Sequence, residues 1–334
     1  MWIIEFFIVI LKIKKTCDLS CYIYYMKNRK PIFKFFFIII GIVLVFWSLI
    51  SPDIPLSELT KKYTNVNSKF VNIQGMNVHY RDEGEGPVYV LLHGTAASLH
   101  TWDKWTKELS KNYRVIRLDL PAYGLTGPHP QKKYQVDDYR IFLEEFFKKL
   151  EINEFMIAGN SLGGAIAWYY SSFHQDQVSQ LHLLNPGGFS SKDKPLVIRL
   201  AKIPVLNKIL RYVTPRSFIK MNLKEVYYDE SKLSNKKIET YRDLILRESN
   251  RQSFIDRAYI KAIDHTIRLK LIYTPTLILW GKQDAWIPSY NAKLFDDLLP
   301  NSEVAIMDET GHIPMEERPM ESLEIVKNFI KNNK

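Results

Sequence analysis

From Phe70 onward the chain alternates short apolar runs with stretches of helical period, and that alternation restricts its fold more than any other feature. The runs are FVNI (70–73), MNVHYRD (76–82), VYVLLH (88–93), YRVIRLDL (113–120), FMIAGN (155–160), QLHLLN (180–185), PTLILWG (275–281) and SEVAIMD (302–308). Their length and their Val, Ile, Leu and Tyr content predict strands. Between them, 101–112, 136–150, 162–173, 291–299 and 319–331 carry helical spacing. Strands that alternate with helices imply an α/β fold with a mostly parallel sheet covered on both faces, because each crossover lays a helix on the sheet. The first two strands are expected to form a hairpin through Gln74-Gly75.

One stretch breaks the rhythm. Residues 189–268 hold about eighty positions of amphipathic, Lys-, Arg- and aromatic-rich sequence without a strand signal. They predict a helical lid over the edge of the sheet where such folds bind ligands, between core segments 70–188 and 269–334. Residues 52–69 read as a polar, Pro-containing linker.

Ahead of the linker, Phe35–Ile50 is sixteen residues without a charge, and Pro31–Phe33 with Lys34 extend it toward the length of a bilayer span. Lys27, Arg29, Lys30 and Lys34 precede it, Asp53 and Glu58 follow, and Trp47 sits near its far end. This asymmetry predicts a single-pass signal anchor at 31–51, with residues 1–30 cytoplasmic and the body outside the cytoplasm. Met26, opening MKNRKP, is read as an alternative start. Both cysteines, Cys17 and Cys21, lie in this region, so the folded body can form neither a disulfide nor a cysteine metal site.

The net charge of +10 does not indicate nucleic acid. Residues 1–51 hold seven Lys/Arg against Glu5 and Asp18, which is half of the excess; the rest is spread among 39 basic and 34 acidic residues without a basic run.

The chemistry begins at Gly159-Asn160-Ser161-Leu162-Gly163-Gly164, between a strand and a helix. A sharp strand-to-helix turn needs small residues two before and two after the serine, and it lifts the hydroxyl above the sheet. A serine nucleophile needs a base and a group to orient that base. His312, in Thr310-Gly311-His312-Ile313-Pro314, follows the last strand in a loop framed by Gly and Pro. His79, His129, His174, His182 and His265 lack such framing, and His93 reads as a structural loop residue. The acid is expected at Asp284, just past the penultimate strand, with Asp308 as competitor. An oxyanion needs fixed N–H donors; Leu162 supplies one, and Thr95, with Ala96 as alternative, the other.

LLHGTAASLHTW, LDLPAYGLTGP, AGNSLGGAIA, LILWGKQDAWIP and DETGHIPMEERP, in that order, resemble the α/β-hydrolase superfamily over 70–331. The resemblance implies an eight-stranded, mostly parallel sheet, a Ser161-Asp284-His312 triad, and neither metal nor organic cofactor. It also implies that Asp119 and Gly124 shape a turn bordering the site, with Ala122 where many relatives have Gly. A serine at the turn argues against the aspartate-dependent relatives, the haloalkane dehalogenases and epoxide hydrolases. The expected activity is carboxylesterase- or lipase-like, on an apolar or lipid-like ester. Asn160 and Asn185-Pro186-Gly187-Gly188 also resemble meta-cleavage C–C hydrolases, although Ile313 stands where those have Trp. Their acidic substrates would need a cation such as Arg199 or Arg211. A noncatalytic, ligand-binding member of the fold is the third reading.

Overall fold

The computed structural model describes residues 34–41, 44, 47, 49–189, 195–261 and 263–333. Ser51–Lys334 forms a unit separate from the residues before it. All eight expected strands are present: β1 (Ser68–Ile73), β2 (Met76–Glu83), β3 (Val88–Leu92), β4 (Arg114–Leu118), β5 (Phe155–Asn160), β6 (Val178–Leu184), β7 (Thr276–Gly281) and β8 (Ser302–Met307). They form one sheet in the order β1-β2-β4-β3-β5-β6-β7-β8. β1/β2 and β2/β4 pair antiparallel and the remaining pairs are parallel. The hairpin between β1 and β2 closes through Gln74 and Gly75, both at positive φ (52° and 80°), the geometry a two-residue turn needs to match strand twist.

Side chains alternate between two cores, as the period of two in a strand requires. Val90 and Leu92 of β3 join Ile157, Ile278 and Trp280 in a core shared with α3 (Val136–Lys149), α4 (Leu162–Ser171) and α10 (Asn291–Asp296). Tyr89 and Leu91 face the other way, toward Trp102, α2 (Asp103–Leu109) and α12 (Pro319–Asn332), where Trp105, Leu323 and Phe329 are buried.

Between β6 and β7 the chain forms α5 (Leu196–Ala201), α6 (Pro204–Leu210), α7 (Arg216–Val226), α8 (Asn235–Ile245) and α9 (Asn250–Ala258), with no strand among the described residues. The polar stretch before β1 differs from the expected linker. It contains α1 (Leu56–Tyr63), whose Leu59 and Tyr63, four apart, are buried against Leu125 and Leu244, with the Tyr63 hydroxyl donating to Asp243 at 2.8 Å. The segment 1–30 lies outside the described residues, as do 31–33, 42, 43, 45, 46 and 48 of the expected anchor at 31–51. Residues 34–41, 44, 47 and 49 are helical, and among the described residues no helix is long and apolar enough to cross a membrane.

Candidate active site

Every parallel strand delivers its candidate residue just past its C-terminal end: the 93–98 loop after β3, Asp119 after β4, Ser161 after β5, Asn185 after β6, Asp284 after β7 and His312 after β8. Ser161 occupies a strained backbone conformation, φ 54° and ψ −112°, between β5 and α4. The tightness of the turn explains its glycines. A Cβ on Gly159 would lie 2.2 Å from the Gly163 carbonyl oxygen, and one on Gly163 would lie 2.2 Å from that of Leu92. Neither position tolerates a side chain while the helix leaves the strand this steeply. The Ser161 N–H donates to the Leu184 carbonyl (3.1 Å), and the Ser161 carbonyl accepts from Ala165 and Gly187 (both 2.9 Å).

His312 and Asp284 meet through Nδ1 and Oδ2 at 2.7 Å, both side chains almost fully buried. The Asp284 carboxylate is otherwise saturated. Its Oδ1 accepts from the N–H groups of Trp286 (2.7 Å) and Ile287 (2.9 Å), and Oδ2 also accepts from Asn185 Nδ2 (2.7 Å). A carboxylate ringed by donors is fixed in place and presents an acceptor oxygen to His312, which directs the Nδ1 proton toward it. The other ring nitrogen, Nε2, is buried and accepts or donates no hydrogen bond among the described residues. It is not hydrogen-bonded to Ser161, although Ser161 and His312 line the same cavity. Asp308, the competing acid, is exposed and paired with Lys282 at 2.6 Å.

The His312 loop is held at three points. His312 donates its N–H to the carbonyl of Val226 at the end of α7 (2.8 Å). Its own carbonyl accepts from Asn160 Nδ2 (2.9 Å), which also donates to Leu184 (3.1 Å). The buried Glu317 carboxylate accepts from the N–H groups of Gly311 and Asp229, each at 2.7 Å. Sequence reasoning assigned no role to Glu317 and used Asn160 and Asn185 only for the resemblance; each acts on a partner remote in the chain.

Thr95 and Ala96 line the cavity with Ser161. Leu162 opens α4, where the first N–H groups have no intrahelical acceptor and the helix dipole favours negative charge. His93 is a loop brace: its Nδ1 donates to the Gly94 carbonyl (2.8 Å), its Nε2 accepts from Leu120 N–H (2.9 Å), and burial lowers its pKa. Asp119 organises the neighbouring turn, accepting from Leu99 and Leu125 N–H (2.8 Å each) and meeting His79 Nδ1 at 2.8 Å. Burial alone would raise its pKa; the His79 bond and the surrounding donors outweigh that and hold the carboxyl well below the usual range. Gly124, at φ 54°, packs directly on Asp119, and Ala122 takes φ 85°, a strained value for a residue with a Cβ.

The remaining unassigned histidines lie outside the cavity lining. His182 meets Tyr89, His174 meets Glu144 and His129 meets Gln74, while His265 lies against the Tyr169 ring. The insertion supplies an apolar wall, including Val197, Leu210, Phe218, Leu223 and Phe254. Arg251, a cation among the lining residues, is ion-paired to Asp53 at 2.7 Å. Arg199 and Arg211 are exposed and do not line the cavity.

Residues 87–319 match the family model described as the alpha/beta hydrolase fold. The chain belongs to this family. Among the relatives of this α/β hydrolase, the uncharacterized hydrolase YugF of Bacillus subtilis is 26% identical over 272 residues, covering 78% of this chain and 96% of YugF. Monoacylglycerol lipase ABHD6 of Mus musculus is 27% identical over 265 residues, covering 74% of this chain and 76% of that protein. A 2-hydroxy-6-oxononadienedioate/2-hydroxy-6-oxononatrienedioate hydrolase of Pseudomonas putida is 28% identical over 271 residues, covering 77% and 93%. A solved membrane phospholipase A shares the fold, with a TM-score of 0.70 at 24% identity over 92% of this chain and 99% of that one.

Proposed function

We propose that this hydrolase cleaves carboxylic esters with apolar acyl groups through an acyl-enzyme on Ser161. The observation that carries the reading is the buried Asp284–His312 pair, whose Nε2 has no hydrogen-bond partner among the described residues, in the same apolar-walled cavity as Ser161. As the hydroxyl attacks the ester carbonyl, His312 takes its proton and Asp284 stabilises the imidazolium. The N–H groups of Leu162 and Thr95 hold the oxyanion. His312 then protonates the leaving alcohol, and water repeats the sequence on the acyl-enzyme. The Ser161–His312 hydrogen bond forms when substrate fills the cavity, since such bonds are often open in empty sites.

The kinship with a monoacylglycerol lipase and the apolar wall support an ester with a lipid-like acyl chain. C–C cleavage of an acidic substrate is less well supported: among the described lining residues the cation is Arg251, which is held by Asp53, and Arg199 and Arg211 are exposed; Arg257, which donates to the Thr95 hydroxyl at 3.4 Å, is the cation such a substrate would have to reach. The charge asymmetry around 31–51 supports an anchor that puts the helical insertion, as a lid, and the core outside the cytoplasm; protease protection in intact cells tests this.

Labelling of the full chain by a fluorophosphonate, beside Ser161→Ala, tests the nucleophile, and turnover of a panel of acyl esters tests the substrate class. Loss of labelling in the variant and a preference for apolar acyl chains are expected. Labelling that persists in Ser161→Ala would sink the mechanism, and a folded, labelled protein that hydrolyses no ester would sink the substrate.

A further inference from the structure

Helix α6 is apolar on two faces. Leu210 turns into the cavity wall, while Val205 and Ile209, one turn apart, lie on the outside beside Lys208, with Tyr212 exposed just past the helix end. Val205 is 69% exposed, Tyr212 56% and the neighbouring Ile203 45%, so large side chains face water where a soluble surface would carry polar ones. From Pro195 to Ser217 the sequence carries Arg199, Lys202, Lys208, Arg211 and Arg216 and no carboxylate. Arg216 is bound by Glu239, whereas Arg199, Lys208 and Arg211 are exposed and have no carboxylate partner among the described residues. Exposed aliphatic and tyrosine side chains flanked by uncompensated cations are the chemistry of a surface that lies in the headgroup region of an anionic bilayer.

Ser51 directly follows the apolar run 35–50, and its N–H donates to the Tyr212 carbonyl at 2.7 Å; Ile54 N–H donates to Leu246 at 2.7 Å. The residues that leave the apolar run are thus stitched to the insertion beside α6.

We infer that α6 and its flanks are a membrane-docking face that seats the insertion on anionic lipid. The occupant is a lipid surface: the patch carries one sign of charge, which a second copy of the same patch would repel. Docking places Leu210 and Val197, which line the Ser161 cavity, one helix thickness from the lipid. The inference stands apart from the hydrolase reading, since it concerns the surface alone.

The test is an environment-sensitive dye on Val205→Cys in the full chain, with Cys17 and Cys21 changed to Ser. The protein is reconstituted into vesicles of phosphatidylcholine alone or mixed with phosphatidylglycerol. Val66→Cys, on an exposed loop of the body, is the control. A blue shift at position 205 that needs phosphatidylglycerol, fades with salt, is lost in K208Q/R211Q and is absent at position 66 is the expected result. No shift at 205 in folded protein, an equal shift on neutral vesicles, or a shift that follows protein concentration without lipid would each overturn the inference. Esterase activity plays no part in the readout, so failure of the proposed chemistry would leave this result standing, and the reverse.

Discussion

Asn160 Nδ2 donates to the backbone carbonyl of His312 at 2.9 Å, across 152 positions of sequence. The residue just before Ser161 therefore holds the loop that carries the ring expected to deprotonate it. Asn160→Leu leaves the His312 carbonyl without this donor, at about 1–3 kcal/mol for the unpaired group, while the Leu184 carbonyl keeps the Ser161 N–H. Denaturant melts should show that loss. Fluorophosphonate labelling should slow roughly 10–100-fold, because a small displacement of the base is enough to spoil its alignment.

Asp284 and Asp308 make a discriminating pair. Asp284→Asn keeps the shape of the side chain but removes the charge facing His312 Nδ1, and labelling should fall about 10⁴-fold. Asp308→Asn breaks only an exposed pair with Lys282, and labelling and stability should change little. Rates measured side by side decide it.

Gly163→Ala drives a Cβ to 2.2 Å from the Leu92 carbonyl oxygen and 2.7 Å from that of His93, so backbone must move. A loss of about 3 kcal/mol is expected, with slower labelling because the 93–98 loop shifts. The contrasting Gly187→Ala meets nothing nearer than 3.4 Å and should be tolerated within about 1 kcal/mol. Thermal and chemical melts of the two variants check both.

His182 is fully buried between Tyr89 and Phe329, its Nε2 without a hydrogen-bond partner among the described residues, and burial lowers its pKa to about 3. A histidine held neutral in the fold binds fewer protons than in the unfolded chain. Its contribution is unaffected above the unfolded value of about 6.5 and turns unfavourable as pH falls below it, by roughly 3 kcal/mol near pH 4. His182→Gln should flatten this acid limb when unfolding free energies are measured from pH 7 down to about pH 4.

The eight strands, the glycine-bounded serine turn and the chain order Ser161, Asp284, His312 were legible in the sequence because each has a local cause. A strand buried on both faces needs a continuous run of branched residues, and a turn with no room for a Cβ needs glycine at fixed offsets. Even α1, read as linker, left a trace in Leu59 and Tyr63, but too short a helix to separate from its polar neighbours. What only the tertiary structure decided lies between residues far apart in the chain. Asn160 reaching His312, Glu317 bridging Gly311 and Asp229, and Arg251 paired with Asp53 follow from the strand order and from where the insertion folds back. A hydrogen-bond partner a hundred residues away imposes no period and no composition on the segment that meets it. The chain thus announces its sheet and its three candidate reacting groups locally, while the braces that hold them together exist only once the strands are assembled.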